Sequence, residues 1–272
     1  MPGTRPPSAP ADRPSPAPDG AACGRLWLVP NTLDLGTGHD TPLEQLLPRA
    51  VIERAAMLGH WVVENAKSAR ALLKRVDALV PLAQPLQQVQ ITELPRPRKD
   101  GRTDADAQAY DQLLLPALHG HELGLLSEAG LPAVADPGSR LVQAAHRHSV
   151  TVEPMSGPSS LLMALAASGL NGQSFAFVGY LPVDPVARAA RIRELDALSR
   201  RSHQTQLAIE TPYRNAALRE ALIEHLQPGT QLAVASGLTL AGGRCISWPV
   251  ARWRREVPAL DDRLPAVYAW LG

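Results

Sequence analysis

The sequence predicts an α/β protein of two domains, each with a mostly parallel or mixed sheet flanked by helices. Short apolar runs typical of buried strands alternate with amphipathic helical stretches along most of the chain. Residues 156–160, which read SGPSS, interrupt this alternation near the middle. With 272 residues, 45% of them hydrophobic, the chain is long enough to bury two ordinary cores.

The first 24 residues are rich in Pro, Ala, Ser and Asp, and they contain no periodic apolar pattern. Such a segment cannot bury enough apolar surface to offset its ordering entropy, so we expect a disordered arm over 1–24. Folded domains are then predicted over 25–155 and 156–272.

The first domain is predicted to begin with a strand over 25–29. Residues 33–40, LDLGTGHD, are similar to the glycine-rich first motif of Rossmann-type methyltransferases. The preceding strand ends at Pro30, however, and Asp40 stands where the last glycine of that motif would be. We interpret the segment as a surface loop and keep the Rossmann motif as the alternative. Further along we expect helices over 49–58, 67–80, 104–120 and 139–147 and strands over 60–65, 88–94, 122–127 and 149–155.

The second domain is predicted to begin with a helix over 161–169. Helices follow over 185–199 and 213–226, and strands over 174–180, 204–210, 230–236, 245–250 and 265–271. Several of these strands follow one another with no helix between them, which favours a mixed sheet.

The segment 123–139 is the strongest candidate for a ligand-binding loop. A buried strand ends at Leu126, and the polar turn Ser127-Glu128-Ala129-Gly130 follows it directly. In open α/β sheets ligands bind outside the carboxyl ends of the strands. Asp136, in Asp-Pro-Gly, is predicted to be the N-cap of the next helix. A crevice between the two domains is the natural place for a cofactor.

Four motifs in order carry a resemblance to a known family: SEAGLPAVADPG (127–138), GPSSLLMALAASGL (157–170), FVGYLP (177–182) and ETPYR (210–214). The chain resembles the tetrapyrrole methylase superfamily, the class III S-adenosylmethionine (SAM) methyltransferases. Within it, the motifs are most similar to the bacterial small-subunit ribosomal RNA 2′-O-ribose methyltransferase I branch. The resemblance covers roughly residues 25–272.

This resemblance implies a homodimer of two-domain subunits that hold SAM in the interdomain cleft, with the Ser127 turn facing the Gly157 turn. By position, the cofactor would contact Pro30, Ser127, Glu128, Ala129, Gly130, Ala133, Val134, Ser159, Ser160, Tyr213 and Ala235. Glu128 either binds a ribose hydroxyl or the amino group of SAM, or caps the turn that follows it. Ser159 and Ser160 either seat a polar part of SAM at a helix start or simply cap that helix.

Glu210 is the candidate catalytic base, because a ribose hydroxyl must lose its proton and Glu210 ends a predicted strand beside Tyr213. A structural ion pair with Arg214, four residues later, is the alternative.

Two segments depart from the ribosomal RNA branch. Residues 64–67 read ENAK in place of an EDTR-like motif, and residues 236–240 read SGLTL in place of an ELTK-like motif. We predict methylation of a ribose 2′-hydroxyl in small-subunit ribosomal RNA. C-methylation of a tetrapyrrole, or a SAM-binding module without transfer activity, are the alternatives.

The net charge of +1 provides no global field for nucleic acid, so RNA contact would need a local patch. The basic run Arg96, Arg98, Lys99 and Arg102 either follows RNA phosphates or is a solvated loop. Cys23 and Cys245 are too few for a disulfide framework, and no apolar run reaches a membrane span, so we expect a cytoplasmic protein. The pairs His119/His121 and His146/His148 lack further ligands at a recognisable spacing, and we expect no metal site.

Overall fold

The computed structural model describes residues 23–34, 41–95, 104–256 and 258–272, apart from the side chains of 104–106. Nearly all of the predicted arm lies outside these residues. So do residues 35–40 of the glycine-rich segment and the basic run Arg96, Arg98, Lys99 and Arg102. No helix in the described part of the chain is both long and apolar enough to cross a bilayer.

Five parallel strands form the first sheet of the described chain, in the order β3-β2-β4-β1-β5. The strands are β1 (Arg25–Leu28), β2 (His60–Val63), β3 (Gln90–Glu93), β4 (Leu123–Leu126) and β5 (Thr151–Pro154). The helices between them are α1 (Leu43–Leu46), α2 (Arg49–Met57), α3 (Ala66–Asp77), α4 (Asp104–Leu113), α5 (Leu115–Leu118) and α6 (Ser139–Arg147).

The helices cover both faces of this sheet, because successive strand side chains point to opposite faces. Trp61 and Val63 of β2 belong to the apolar cluster beneath α2 and α3. Val62, between them, belongs to the cluster that includes Tyr110 of α4 and Leu141 of α6. All four residues of β4 are buried, as expected for a central strand covered on both faces.

The second sheet has the order β6-β7-β10-β8-β9 and is mixed. Among the described strand pairs of this sheet, β6–β7 is parallel and the other three are antiparallel. Its strands are β6 (Phe175–Phe177), β7 (Thr205–Glu210), β8 (Gln231–Ser236), β9 (Arg244–Pro249) and β10 (Ala266–Leu271). The helices of this half are α7 (Ser160–Ser168), α8 (Pro185–Ser202), α9 (Asn215–His225) and α10 (Val250–Trp253).

The central strand β10 has apolar side chains on both faces of this sheet. Tyr268 and Trp270 lie in the cluster shared with α8 and α9. Val267 and Ala269 lie in the cluster shared with α7. The predicted fold class is therefore confirmed, with a parallel first sheet and a mixed second one. The domain boundary itself, placed between 155 and 156, stays a prediction.

Three local predictions were wrong in detail, each for a backbone reason. The helix expected over 104–120 is divided at Leu114, because Pro116 has no N–H to continue the ladder of hydrogen bonds. The strand expected from 88 starts at Gln90, after a 3₁₀ turn over Leu86–Gln88. The strand expected to reach 250 ends at Pro249, where α10 begins.

Gly124 in β4 allows Trp61 of the neighbouring strand to pack across the sheet. A Cβ atom at Gly124 would lie 2.6 Å from Cε3 of Trp61, and two further ring atoms would be within 3.0 Å. Trp61 is buried, so its ring has little room to move away.

We expect Gly124→Ala to lower the free energy of unfolding by about 1–3 kcal/mol, the usual cost of overpacking. Urea denaturation measures the change. Gly172→Ala is the matched control, because no atom lies within 4 Å of its Cβ position. Equal stability of the two variants would contradict the packing interpretation.

Candidate functional site

A cavity of about 270 Å³ lies where the carboxyl end of β4 meets the second sheet and the start of α7. Its walls also include the ends of β7, β8 and β10, through Glu210, Ala235 and Ala266. The volume is near the lower end of the roughly 300–1,000 Å³ typical of small-molecule sites.

Most of the residues predicted to bind cofactor line this cavity. They are Ser127, Glu128, Ala129, Gly130, Val134, Ser159, Ser160 and Ala235. The candidate base Glu210 also lines it, whereas Pro30, Ala133 and Tyr213 do not. Whether these residues contact a cofactor stays a prediction.

The Ser127 turn is fixed by the loop that follows β1. The buried Asn31 side chain donates to the carbonyl oxygens of Ser127 and Glu128, each at 3.0 Å. The Asn31 N–H donates to Gly130 O at 2.9 Å, and the Gly130 N–H donates to Thr32 O at 3.2 Å. Gly130 has φ +69°, a conformation that favours glycine. Four hydrogen bonds therefore join two loops that are about a hundred residues apart in the chain.

The Ser127 turn and the Gly157 turn meet directly. A Cβ atom at Gly130 would lie 3.3 Å from Pro158 O. A Cβ atom at Gly157 would lie 2.2 Å from Cβ of Pro30, so only glycine fits against that ring. Pro30 thus supports the Gly157 turn and does not face the cavity.

Ser159 is the N-cap of α7, and its Oγ accepts from the Leu162 N–H at 3.5 Å. Because Ser159 and Ser160 also line the cavity, the open end of α7 faces the space inside. Free N–H groups at a helix start favour an anionic ligand group.

Glu128 is held by α3 and the loop before it. Its Oε1 accepts from Asn65 Nδ2 at 2.9 Å and from Ser68 Oγ at 3.2 Å. Its backbone N–H donates to Glu64 Oε2 at 3.0 Å. Asn65 also caps α3 by accepting from the Lys67 N–H. The segment 64–67 therefore brings a second carboxylate, Glu64, to the cavity wall.

Asp136 is not the N-cap of α6; that prediction was wrong. Gly138 occupies the cap position, and no side chain caps the helix. Asp136 Oδ1 instead accepts from the N–H groups of Ala133 at 3.0 Å and Gly138 at 2.7 Å. These bonds close a tight turn in which Ala133 has φ 67° and Ala135 has φ 65°, both in the left-handed region. The turn directs the Ala133 N–H at the carboxylate, and Ala133 is not part of the cavity wall.

Asp136 lines the cavity with an unusually basic carboxylate. Its Oδ2 is buried and has no hydrogen-bond partner among the described residues. Burial, and to a lesser extent the negative charge of Glu64, raises the pKa of Asp136 to about 6, against the opposing effect of the two N–H donors.

Glu210 makes the ion pair that was the alternative to a catalytic role. Its Oε1 accepts from Arg214 Nε at 3.0 Å and Nη2 at 2.7 Å, and from the Thr211 N–H at 2.7 Å. Glu210 also lines the cavity, so the ion pair and a role at the site are compatible. Its function as a base stays a prediction.

Sequence reasoning missed several cavity residues, including Glu64, Tyr180, Gly237 and Leu238. Tyr180 lies in the FVGYLP motif, yet nothing in the motif marked its side chain. Burial, and then the charges of Glu210 and Glu64, raise the pKa of Tyr180. Glu64 could have been predicted, because it is a polar residue directly after β2 and because β2 lies next to β4 in the sheet.

Among the described lining residues, four are carboxylic acids and none is Lys, Arg or His. The acids are Glu64, Glu128, Asp136 and Glu210. A concave wall of one charge sign raises the local concentration of ligands of the opposite sign. The cavity therefore favours a ligand with a cationic centre.

The predicted histidine pairs have other contacts. The rings of His121 and His60 lie 4.8 Å apart, and burial followed by the charge of His121 lowers the pKa of His60. His148 Nε2 lies 3.1 Å from Asp111 Oδ1. Within the described ranges, no group of three His, Cys, Asp or Glu residues is arranged to hold a metal ion.

The family model described as tetrapyrrole (corrin/porphyrin) methylases matches residues 49–252. Two curated relatives are named ribosomal RNA small subunit methyltransferase I. The one from Mesorhizobium japonicum is 38% identical over 132 residues, 48% of this chain and 44% of the relative. The one from Vibrio cholerae is 34% identical over 161 residues, 59% of this chain and 54% of the relative. The chain thus spans about half the length of these relatives.

Solved structures share the fold. The methyltransferase CobJ superposes with a TM-score of 0.53 at 19% identity, over 90% of this chain and 93% of that one. A conserved hypothetical protein from Aeropyrum pernix K1 gives 0.55 at 17% identity, over 92% and 84%.

The Asp136 carboxyl predicts a pH-dependent contribution to stability. Its pKa is about 6 in the folded protein, against 3.8 for an unperturbed aspartic acid, so the folded chain retains the proton over this interval. The contribution of Asp136 is therefore most favourable below the lower value and is lost as the pH rises to the higher one. Allowing for partial exposure, we expect wild type to lose about 1–2 kcal/mol relative to Asp136→Asn between about pH 4 and 7.

Urea denaturation of both proteins across that range measures the difference. Glu194→Gln removes a carboxylate that is 66% exposed and controls for the loss of one charge. Parallel stability curves for wild type and Asp136→Asn would contradict the assignment.

Proposed function

The chain belongs to the tetrapyrrole (corrin/porphyrin) methylase family, and from this membership we propose that it is a SAM-dependent methyltransferase acting on a ribose 2′-hydroxyl of small-subunit ribosomal RNA. The observation that carries the proposal is the cavity between the Ser127 turn and the start of α7, with its four carboxylates. The RNA acceptor is supported by the names of the curated relatives at 34–38% identity.

The cavity residues fit SAM. The methyl donor has a sulfonium and an ammonium group, and Glu64, Glu128 and Asp136 provide negative charge for them. The partnerless Oδ2 of Asp136 is an acceptor that a ligand donor would satisfy. The N-terminus of α7, at Ser159 and Ser160, suits the carboxylate of the amino-acid part.

Bound SAM supplies an electrophilic methyl group for an in-line displacement. The task of the protein is to hold the acceptor oxygen in line with it and to exclude water. We propose that Glu210 takes the proton of the acceptor hydroxyl. In the described chain its hydrogen bonds all go to Oε1, so Oε2 is the oxygen left to face the acceptor. Arg214 holds that carboxylate in one orientation.

Tetrapyrrole C-methylation is the second candidate, favoured by the description of the matching family. A SAM-binding module without transfer activity is the third. It is favoured by residues 236–240, where Gly237 and Leu238 reach the cavity without supplying the acid or the lysine of the related motif.

Three further properties belong to the proposal. The protein acts as a cytoplasmic homodimer, and Arg96, Arg98, Lys99 and Arg102 contact RNA phosphates. Self-association is supported by β6, an edge strand whose Phe175 and Phe177 are both exposed. RNA binding would depend on this local basic run, because the net charge of +1 provides no general attraction for RNA.

We expect the protein to transfer label from methyl-labelled SAM to one nucleotide of small-subunit ribosomal RNA, either deproteinised or in assembled subunits. A 2′-O-methyl group protects the adjoining phosphodiester from alkali, so the labelled position should resist alkaline hydrolysis. Label in a tetrapyrrole precursor alone would favour the second candidate. SAM binding without labelling of any acceptor would favour the third.

Glu128→Gln should weaken SAM binding about tenfold, because it removes a charge worth about 1.4 kcal/mol at that contact. Glutamine retains an oxygen for the hydrogen bonds from Asn65 and Ser68. Titration calorimetry measures the affinity, and Glu194→Gln, outside the cavity, should bind like wild type. If Glu128→Gln binds SAM as tightly as wild type, Glu128 does not contact the cofactor.

A further inference from the structure

Two tyrosine side chains lie exposed beside the candidate base. The exposed fraction is 55% for Tyr180 and 83% for Tyr213. Tyr180 lines the cavity, and its phenol is near enough to Glu210, Arg214 and Tyr213 to interact with them electrostatically. Tyr213 lies three residues beyond Glu210. Tyr180 therefore lies in the cavity wall near Glu210, and Tyr213 lies on the turn that follows Glu210.

Both side chains project from fixed backbone. Tyr180 follows Gly179, whose carbonyl accepts from the Ile209 N–H at 3.2 Å and ties the end of β6 to β7. Tyr213 lies in a 3₁₀ turn over Pro212–Arg214, which the Glu210–Arg214 ion pair anchors to the end of β7. The Arg214 guanidinium lies 5.7 Å from the centre of the Tyr213 ring. Large rings on rigid segments provide contact area at low entropic cost.

The chemistry around the tyrosines favours a base over a phosphate. Glu210 and Glu64 place negative charge near Tyr180, which would repel a phosphate. Arg214, the nearby cation, already donates twice to Glu210. An unstacked nucleobase, in contrast, is neutral and presents a planar face that stacks on aromatic side chains.

We propose that Tyr180 and Tyr213 form a stacking site for the base of the acceptor nucleotide, which brings its ribose hydroxyl to Glu210 at the cavity. This inference rests on the proposed function. An enzyme that acts on one nucleotide must draw it out of its stack, and an aromatic site replaces the lost stacking. The two tyrosines thus act as positioning residues for the acceptor.

The test compares Tyr180→Ala and Tyr213→Ala with the phenylalanine variants at the same positions. Stacking of one base on one ring corresponds to about a 5- to 150-fold effect. We expect each alanine variant to raise KM for the RNA substrate at least about fivefold, and by a larger factor than any change in the Kd for SAM. The phenylalanine variants keep the ring, so their KM should equal that of wild type. Val186→Ala is the control, because Val186 is an exposed apolar residue on α8 outside the cavity lining.

A second substrate separates stacking from a structural role. The RNA that wild type labels is rebuilt by ligation with an abasic ribose at the target position. On this abasic substrate, kcat/KM of wild type should fall. Tyr213→Ala should lower kcat/KM little further, because the abasic site offers no base for the ring to contact. If Tyr213→Ala lowers kcat/KM by the same factor on the unmodified RNA and on the abasic RNA, the proposal is overturned.

The outcomes distinguish the inference from the proposed function. Alanine variants that keep wild-type KM, in a protein that does label RNA, would overturn the stacking site alone. Absence of labelling by wild type would overturn both. Sedimentation that shows a dimer in wild type and monomers in Tyr213→Ala would assign the ring to a subunit contact and overturn its role in stacking.

Discussion

The hydrogen bonds between the loops after β1 and β4 are the constraint on which the site depends. Parallel pairing places the ends of these strands side by side, but it does not fix the shape of the loops beyond them. Asn31 does so by pairing its amide with the backbone of Ser127 and Glu128. Because Gly130 then meets Pro158, the same bonds also set the approach of the first sheet to α7.

The acidic residues of the cavity lower the stability of the fold, but they favour a ligand with a cationic centre. A buried carboxylate is costly unless it has partners, and Asp136 has only one of its two oxygens satisfied within the described chain. Glu64 adds a like charge nearby. Such an arrangement persists in a native structure where a ligand compensates for it, which is why perturbed carboxylates in a cleft point to function.

Local patterns in the sequence predicted nearly every helix and strand, because alternation, capping residues and prolines act over a few residues. They also placed Ser127 and Ser159 at the cavity, since strand ends and helix starts of an α/β fold converge there. They missed Asn31 and Tyr180, whose roles depend on residues far away in the chain. The assignment of Asp136 as an N-cap was wrong because the left-handed backbone at Ala133 and Ala135 redirects its carboxylate.

The two departures from the ribosomal RNA branch differ in their consequences for the site. At residues 64–67 the motif has changed, yet Glu64 still reaches the cavity and Asn65 still orders Glu128. At residues 236–240 the cavity receives Gly237 and Leu238, neither of which carries charge. Negative charge therefore enters the described wall from the first sheet and its loops on one side and from Glu210 on the other. The carboxylates that we propose for the cationic donor are therefore separate in the fold from Glu210, which we propose as the base for the acceptor.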